Sequence, residues 1–267
     1  MRLAAVLSLV LLASPAFAGA WTLGEGESKL FVTSSFTYGD HGWDEDGNLV
    51  TVPEYRKFEL GTAIEYGVRP WLTLLGRGEL KEERIDEPVT DTLVAPAPRS
   101  YGAVAGGARA RLWSASHWVF STELTAFSGG FDSLGTTEEN NGPAVEARAN
   151  VGFGEEVLAR PVFADLSAGY RYRLDADESD EVKVDLTLGA RVMPRWLLLA
   201  QTFSTFRTDG NGSHHKVAGS VVWNARDSLH VEVGAIATVA GRSAVQELGG
   251  RIGFWFEFGG PDPLRPQ

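Results

Sequence analysis

The five histidines, His41, His117, His214, His215 and His230, are the chain's natural candidates for a catalytic base. An acyl hydrolase needs such a base within reach of a nucleophile. A lipase built on membrane-spanning strands would show His-x-Ser, since side chains two residues apart share a strand face. None of the five has Ser two positions on. Ser228-Leu229-His230 has the reverse order and straddles an expected turn, and there is no Gly-x-Ser-x-Gly elbow. Spacing pairs no nucleophile with a base, so no enzymatic activity is expected. His214-His215 is the only adjacent pair, and on a strand its rings point to opposite faces and cannot chelate one ion together. Asp44-Glu45-Asp46-Gly47-Asn48 has the look of a Ca²⁺ loop without its closing Glu. It reads as a solvated acidic turn; weak divalent binding that bridges to lipopolysaccharide is the alternative. Asn211-Gly212-Ser213 most simply marks a turn. With no cysteine there is neither a disulfide nor a Cys-ligated metal, and no metal or cofactor is expected.

The informative constellation is a set of charges with one shared property. Lys57, Glu59, Glu65, Arg77, Glu79, Arg109, Arg111, Glu123, Glu146, Arg148, Asp165, Arg171, Lys183, Asp185, Arg191, Glu232, Glu247, Arg251 and Glu257 all occupy the polar parity of alternating stretches. They are nine cations and ten anions. If that parity faces a closed interior, each charge needs water or a partner, because a bare buried ion costs several kcal/mol. Two readings stay open. The charges form ion pairs that brace the interior, or they line a polar pore. Their near balance favours bracing, since it leaves no net field to select ions.

The elements that must position these charges are long strands. In Glu181–Val192, Val182, Val184, Leu186, Leu188, Ala190 and Val192 share one face, and Lys183, Asp185, Thr187, Gly189 and Arg191 the other. Val162–Tyr172 and Gln246–Phe258 repeat the pattern. Read throughout, period-two alternation predicts about twelve strands, near 29–38, 55–66, 71–81, 100–112, 118–127, 144–153, 162–173, 181–192, 196–206, 214–223, 229–238 and 246–258. Short connections (67–70, 113–117, 154–161, 193–195, 224–228) alternate with longer ones (39–54, 82–99, 128–143, 174–180, 207–213, 239–245).

A soluble sandwich or lipocalin-like barrel would also alternate. Strands of ten to twelve residues match a tilted membrane crossing better than the usual five or six of soluble sheets. Aromatics gather at strand ends: Tyr38, Tyr66, Trp71, Trp113, Trp118, Phe127, Phe153, Tyr172, Trp196, Phe206, Trp223 and Phe258. That is the girdle pattern of rings at the headgroup level. The expected fold is therefore an all-β, antiparallel, up-and-down transmembrane β-barrel with short periplasmic turns and longer extracellular loops.

The N-terminus agrees with export to the bacterial outer membrane. Arg2 precedes the apolar run Leu3–Leu12, Pro15 follows, and Ala16-Phe17-Ala18 and Ala18-Gly19-Ala20 are small-x-small cleavage patterns. A signal peptide over 1–20, a barrel over 21–258 and a tail over 259–267 are expected, with the mature chain starting at Gly19 or Trp21. The formal net charge of −11 argues against nucleic acid as a partner. The implied partners are outer-membrane lipid and lipopolysaccharide, the barrel-assembly machinery during biogenesis, and small solutes.

Trp21-Thr22-Leu23-Gly24-Glu25-Gly26-Glu27, Trp43-Asp44-Glu45-Asp46-Gly47-Asn48, Tyr55-Arg56-Lys57-Phe58-Glu59-Leu60 and Ile64-Glu65-Tyr66-Gly67-Val68-Arg69-Pro70-Trp71-Leu72-Thr73-Leu74 carry a resemblance. This stretch resembles the XagA-type proteins of Gram-negative bacteria. More loosely it is similar to the outer-membrane family associated with the meta-pathway of phenol degradation. In both, a strand ending Glu-Tyr-Gly runs through a tight turn into a strand starting with an aromatic and Thr-Leu. The first resemblance implies attachment or surface polysaccharide, the second passage of small aromatic compounds; neither supplies functional residues. Unlike the many barrels that end on their last aromatic, this chain continues for nine residues past Phe258. The sequence leaves two functions open: a narrow, weakly selective channel for passive passage of small molecules, or a non-conducting surface protein in attachment or an exopolysaccharide-related role.

Overall fold

A computed structural model describes residues 19–86, 99–129, 131–132, 142–175 and 178–259. Twelve strands carry the fold: β1 (Ser28–Trp43), β2 (Leu49–Arg69), β3 (Leu72–Asp86), β4 (Arg99–Ala115), β5 (Trp118–Phe127), β6 (Ala144–Val157), β7 (Arg160–Arg173), β8 (Glu181–Met193), β9 (Trp196–Arg207), β10 (Ser213–Arg226), β11 (Leu229–Arg242) and β12 (Leu248–Phe258). Each pairs antiparallel with its sequence neighbours. The register Ser28↔Phe258 to Tyr38↔Leu248 joins β1 to β12 and closes the sheet into a barrel. Closure leaves no edge strand with unpaired backbone groups, which a strand in hydrocarbon could not tolerate.

Alternation sorts the side chains as expected for a barrel in lipid. Val104, Leu124 and Val233 point outward and are more than half exposed, while Glu123 and Glu146 on the opposite parity are 3% and 1% exposed. Trp71, Trp118, Trp196 and Trp223 ring the end with the short turns, and Trp196 and Trp223 stack at 6.4 Å. Tyr38, Tyr172 and Phe206 ring the other end, hereafter the loop end. Trp196 and Phe206 are ten residues apart on β9. That is about 33 Å along the strand and about 25 Å along the axis at a typical tilt, the height of an outer-membrane apolar band.

The strands run further than patterning indicated. The expected long loop at 39–54 is mostly hairpin: β1 and β2 stay paired to Trp43↔Leu49 around the tight turn at Asp44–Asn48. The pairing of β2 with β3 likewise reaches Glu54↔Asp86, and β11 runs to Arg242 before a turn at Ser243. Past the apolar band both faces of a strand meet water, so the ladder continues after alternation has faded. Much of the expected loops at 82–99 and 128–143, the proposed leader up to residue 18, and the tail after Gly259 lie outside the described residues. At the other end, Leu158 and Ala159 both have positive φ (52° and 57°) and make the two-residue hairpin between β6 and β7.

Residues 19–27 do not simply lead into β1. They turn into the barrel at its turn end. Gly26 N donates to Gly67 O at 2.8 Å, and Gly67 N donates to Glu27 O at 2.9 Å. A Cβ on Gly67 would lie 1.9 Å from Gly24 O, so only glycine permits this approach. Beyond it, Trp21 packs against an interior apolar cluster of Phe31, Phe163, Leu197, Leu199, Val222 and Trp255.

Candidate functional site

The barrel interior is the site, and strand register assembles it. Arg109 on β4 sits opposite Glu123 on β5, which in turn sits opposite Arg148 on β6. Glu123 receives Arg77 at 2.7 Å and Arg109 at 3.1 Å, and Arg109 reaches Glu65 at 3.2 Å. Glu146 is held by Arg148 and, at 2.7 Å, by Arg171; Arg148 also reaches Asp185 at 2.5 Å. Arg171 lies 4.0 Å over the ring of Phe127. Phe127, expected in the outer girdle, thus forms part of the interior wall.

A third group surrounds Glu247, paired with Lys57 and with Lys216, both at 3.0 Å. Lys57 also meets Glu59 at 3.3 Å, and Lys81 meets Glu79 at 2.9 Å. Lys183 pairs with Glu181 at 3.2 Å. Arg251 lies 3.3 Å from Glu232, and Lys29 lies 3.1 Å from Glu257. Arg191 sits at the turn end and donates to Pro194 O, while Arg111 sits opposite Ser121 near the same end. Asp165 differs from all of these. It is 4% exposed and accepts the Ala20 amide at 2.8 Å.

Lys29, Lys81, Lys216, Glu181 and Arg173, which lies 2.6 Å from Glu181, belong to these networks and are not among the charges that alternation singles out. Their parity was visible. Lys29, however, precedes the apolar Phe31 on the same face, and its place opposite Glu257, its ion-pair partner, is fixed only by register.

Between the networks lies a cavity of about 590 Å³, with Gly19, Phe31, Gly61, Arg77, Arg109, Phe127, Arg171, Phe203 and Arg251 among its walls. Six small residues share the inward parity: Gly61, Ala63, Ala103, Gly107, Gly169 and Gly189. Gly61, Ala63 and Ala103 do border the cavity. The space over Gly189 is filled by the Phe163 ring, that over Gly169 by Arg148, and that over Gly107 by Thr125. These three glycines are berths for larger neighbours rather than openings.

Two small clusters stand outside the cavity. Asp44 Oδ1 accepts the amides of Asp46 at 3.0 Å and Asn48 at 2.8 Å, so its carboxylate caps its own turn. The Asn48 amide, foremost among these donors, holds the Asp44 carboxyl below its usual range. His215 and Ser204, on adjacent strands and facing outward, meet at 3.0 Å between Nδ1 and Oγ. Sequence spacing could not bring together residues eleven apart across a hairpin. Among the described residues the His215 ring has no second hydrogen-bond partner to orient it, so the pair lacks the third group of a hydrolytic triad.

No family model matches the chain, and no curated protein matches it. Solved structures do resemble it. The COG4313 outer membrane channel from Pseudomonas putida F1 superposes with a TM-score of 0.61 at 12% identity, covering 90% of this chain and 98% of that one. The NanC porin gives 0.51 at 9% identity, over 85% and 98% of the two chains. The transport unit of the autotransporter AIDA-I from Escherichia coli gives 0.52 at 8% identity, over 94% of each. At such identities the likeness is one of fold: this chain has the architecture of outer-membrane β-barrels.

Proposed function

We propose that this chain is a narrow, weakly selective outer-membrane channel for passive passage of small polar molecules, and not an enzyme. The observation that carries the reading is the charge-lined cavity enclosed by the twelve-strand wall. Eight strands leave an interior that side chains fill, and sixteen or more leave an open aqueous channel. Twelve strands lie between, and the Arg and Glu side chains here narrow the lumen without filling it. In this reading the turn end is periplasmic and the loop end extracellular. Fold resemblance to a channel and a porin supports the proposal, although resemblance to an autotransporter unit shows that fold alone does not choose.

Purified protein in liposomes should give slow but reproducible swelling with small neutral and zwitterionic solutes, little altered by their charge. Absence of flux for every solute would contradict the proposal. Orientation is checked in intact cells: a cysteine at Asp46 should react with an impermeant label and one at Asp227 should not.

One observation favours a second reading. The turn end of the lumen is filled by residues 19–24 and the apolar cluster, which suits a non-conducting surface protein in attachment or an exopolysaccharide-related role. Loss of adhesion on removing residues 39–54, together with no conductance, would support that reading.

A further inference from the structure

Asp165 is a buried carboxylate without a side-chain cation. Glu123, Glu146 and Glu232 are at least as deeply buried, and each has Arg or Lys within 3.3 Å. Among the described residues Asp165 has no such ion pair. Its company is the segment before β1: the amide of Ala20 donates to Oδ2 at 2.8 Å, and Gly19 lies beside the carboxylate, a Cβ built on it falling 3.5 Å from Oδ1. A carboxylate removed from water is costly unless a charge or several donors compensate it.

The surroundings form a fitted berth for this segment. Ser121 Oγ donates to Gly19 O at 3.2 Å, Arg109 Nη1 donates to Trp21 O at 3.1 Å, and Leu23 N donates to Thr73 Oγ1 at 2.9 Å. Ala20, Ser121 and Thr73 are fully buried. A Cβ on Gly19 would sit 3.0 Å from Asn150 Oδ1, so the berth is cut for a residue without a side chain. The Trp21 ring covers Gly152, where no side chain competes, and meets Phe163 edge-on at 6.3 Å.

The sequence places a small-x-small cleavage pattern, Ala16-Phe17-Ala18, directly before this berth. Hydrolysis there adds water across the Ala18–Gly19 bond and leaves a carboxylate on Ala18 and an ammonium on Gly19. The alternative cut after Ala20 would discard two residues that the lumen binds. We propose that the α-ammonium of Gly19 in the processed chain is the cation partner of Asp165, latching the mature N-terminus inside the barrel as its own stopper. Export thus creates the charge that completes the interior network, and only the processed chain carries it. The inference stands whether or not the barrel conducts, because it needs only a folded, processed barrel.

The test uses protein purified from outer membranes. The N-terminal peptide should begin Gly-Ala-Trp by mass spectrometry. An acetylating amine reagent at about pH 7.5, where an ordinary α-amine reacts readily, should modify Gly19 about tenfold more slowly in folded than in denatured protein. Asp165→Asn should remove most of that protection while keeping the heat-modifiable gel mobility of a folded barrel. If this variant does not fold, inserting one Ala after Ala18 serves instead. It leaves Asp165 intact, moves the ammonium by about 3.8 Å, and should abolish protection likewise. A mature chain that begins at Trp21 or keeps its leader overturns the proposal. So does an amine that reacts equally fast in folded and denatured protein, or protection that survives both variants.

Discussion

At the turn end the interior is closed by Phe31, Phe163, Leu197, Leu199, Val222 and Trp255 packed around Trp21. Toward the loop end the same cross-section is spanned by Glu146, Arg148, Arg171 and Asp185, and by Lys57, Lys216 and Glu247. Both regions lie within one twelve-strand wall whose outer face carries an apolar band. The difference concerns what each region can do once formed. An apolar plug gains by excluding water and has no use for a solute. A network of long charged side chains keeps donors and acceptors that water or a polar solute can share. In the proposed reading the first seals and the second filters.

The largest effect should come from emptying the seal. Phe163→Ala removes the ring that fills the space over Gly189 and supports Trp21. A loss of about 3–4 kcal/mol is expected in urea unfolding from lipid vesicles. A loss below about 1 kcal/mol would mean that this region is not a packed core. Glu146→Gln is next. It leaves Arg148 and Arg171 with a weaker acceptor and should cost about 2 kcal/mol. Moderate salt should change this cost little, because buried pairs are poorly screened. A cost that vanishes in salt would mark the network as a solvated surface lining.

Gly61→Leu should sharpen the contrast from the other side. A Cβ there meets only Thr33 O at 3.9 Å, on the cavity wall. The side chain should enter free space, lower solute flux clearly and change stability by less than about 1 kcal/mol. Unchanged flux would place the permeation path elsewhere. The smallest effect is expected at the hairpin tip, outside both regions. The Asp44 carboxyl is held below its usual range, so its support of the turn is present above the ordinary Asp pKa and lost as pH falls through the lowered value. Amide exchange of Asp46 and Asn48 should speed up there, with no change in the barrel strands. Asp44→Ala should abolish the pH dependence.

How much of this was legible depended on which solvent wrote the pattern. Lipid demands an apolar residue at every second position, so Val182 to Val192 announced both a strand and its faces. Interior parity followed directly, but the charged set named from it is not the set that forms the networks: Arg111, Arg191 and Asp165 have no ion pair among the described residues, and Lys29, Lys81, Lys216, Glu181 and Arg173 join the others. Partner identity did not follow. Arg148 bridges β6 to Asp185 on β8 across the intervening strand, a contact fixed by register and closure rather than by spacing. Loop-end extensions such as Leu49–Glu54 carry no alternation because water meets both faces. The proposed stopper was hidden for another reason: Gly19–Gly24 is short and follows directly on the expected leader, and its role would depend on Asp165, 145 residues away from Ala20.

Single-channel conductance in planar bilayers, for the mature barrel and for a form lacking residues 19–24, tests the central claim most directly. A sealed turn end below a charged filter predicts small currents from the mature barrel and a several-fold rise when the segment is removed, with the folded gel mobility retained. Equal conductance in the two forms, or none in either, would contradict the account.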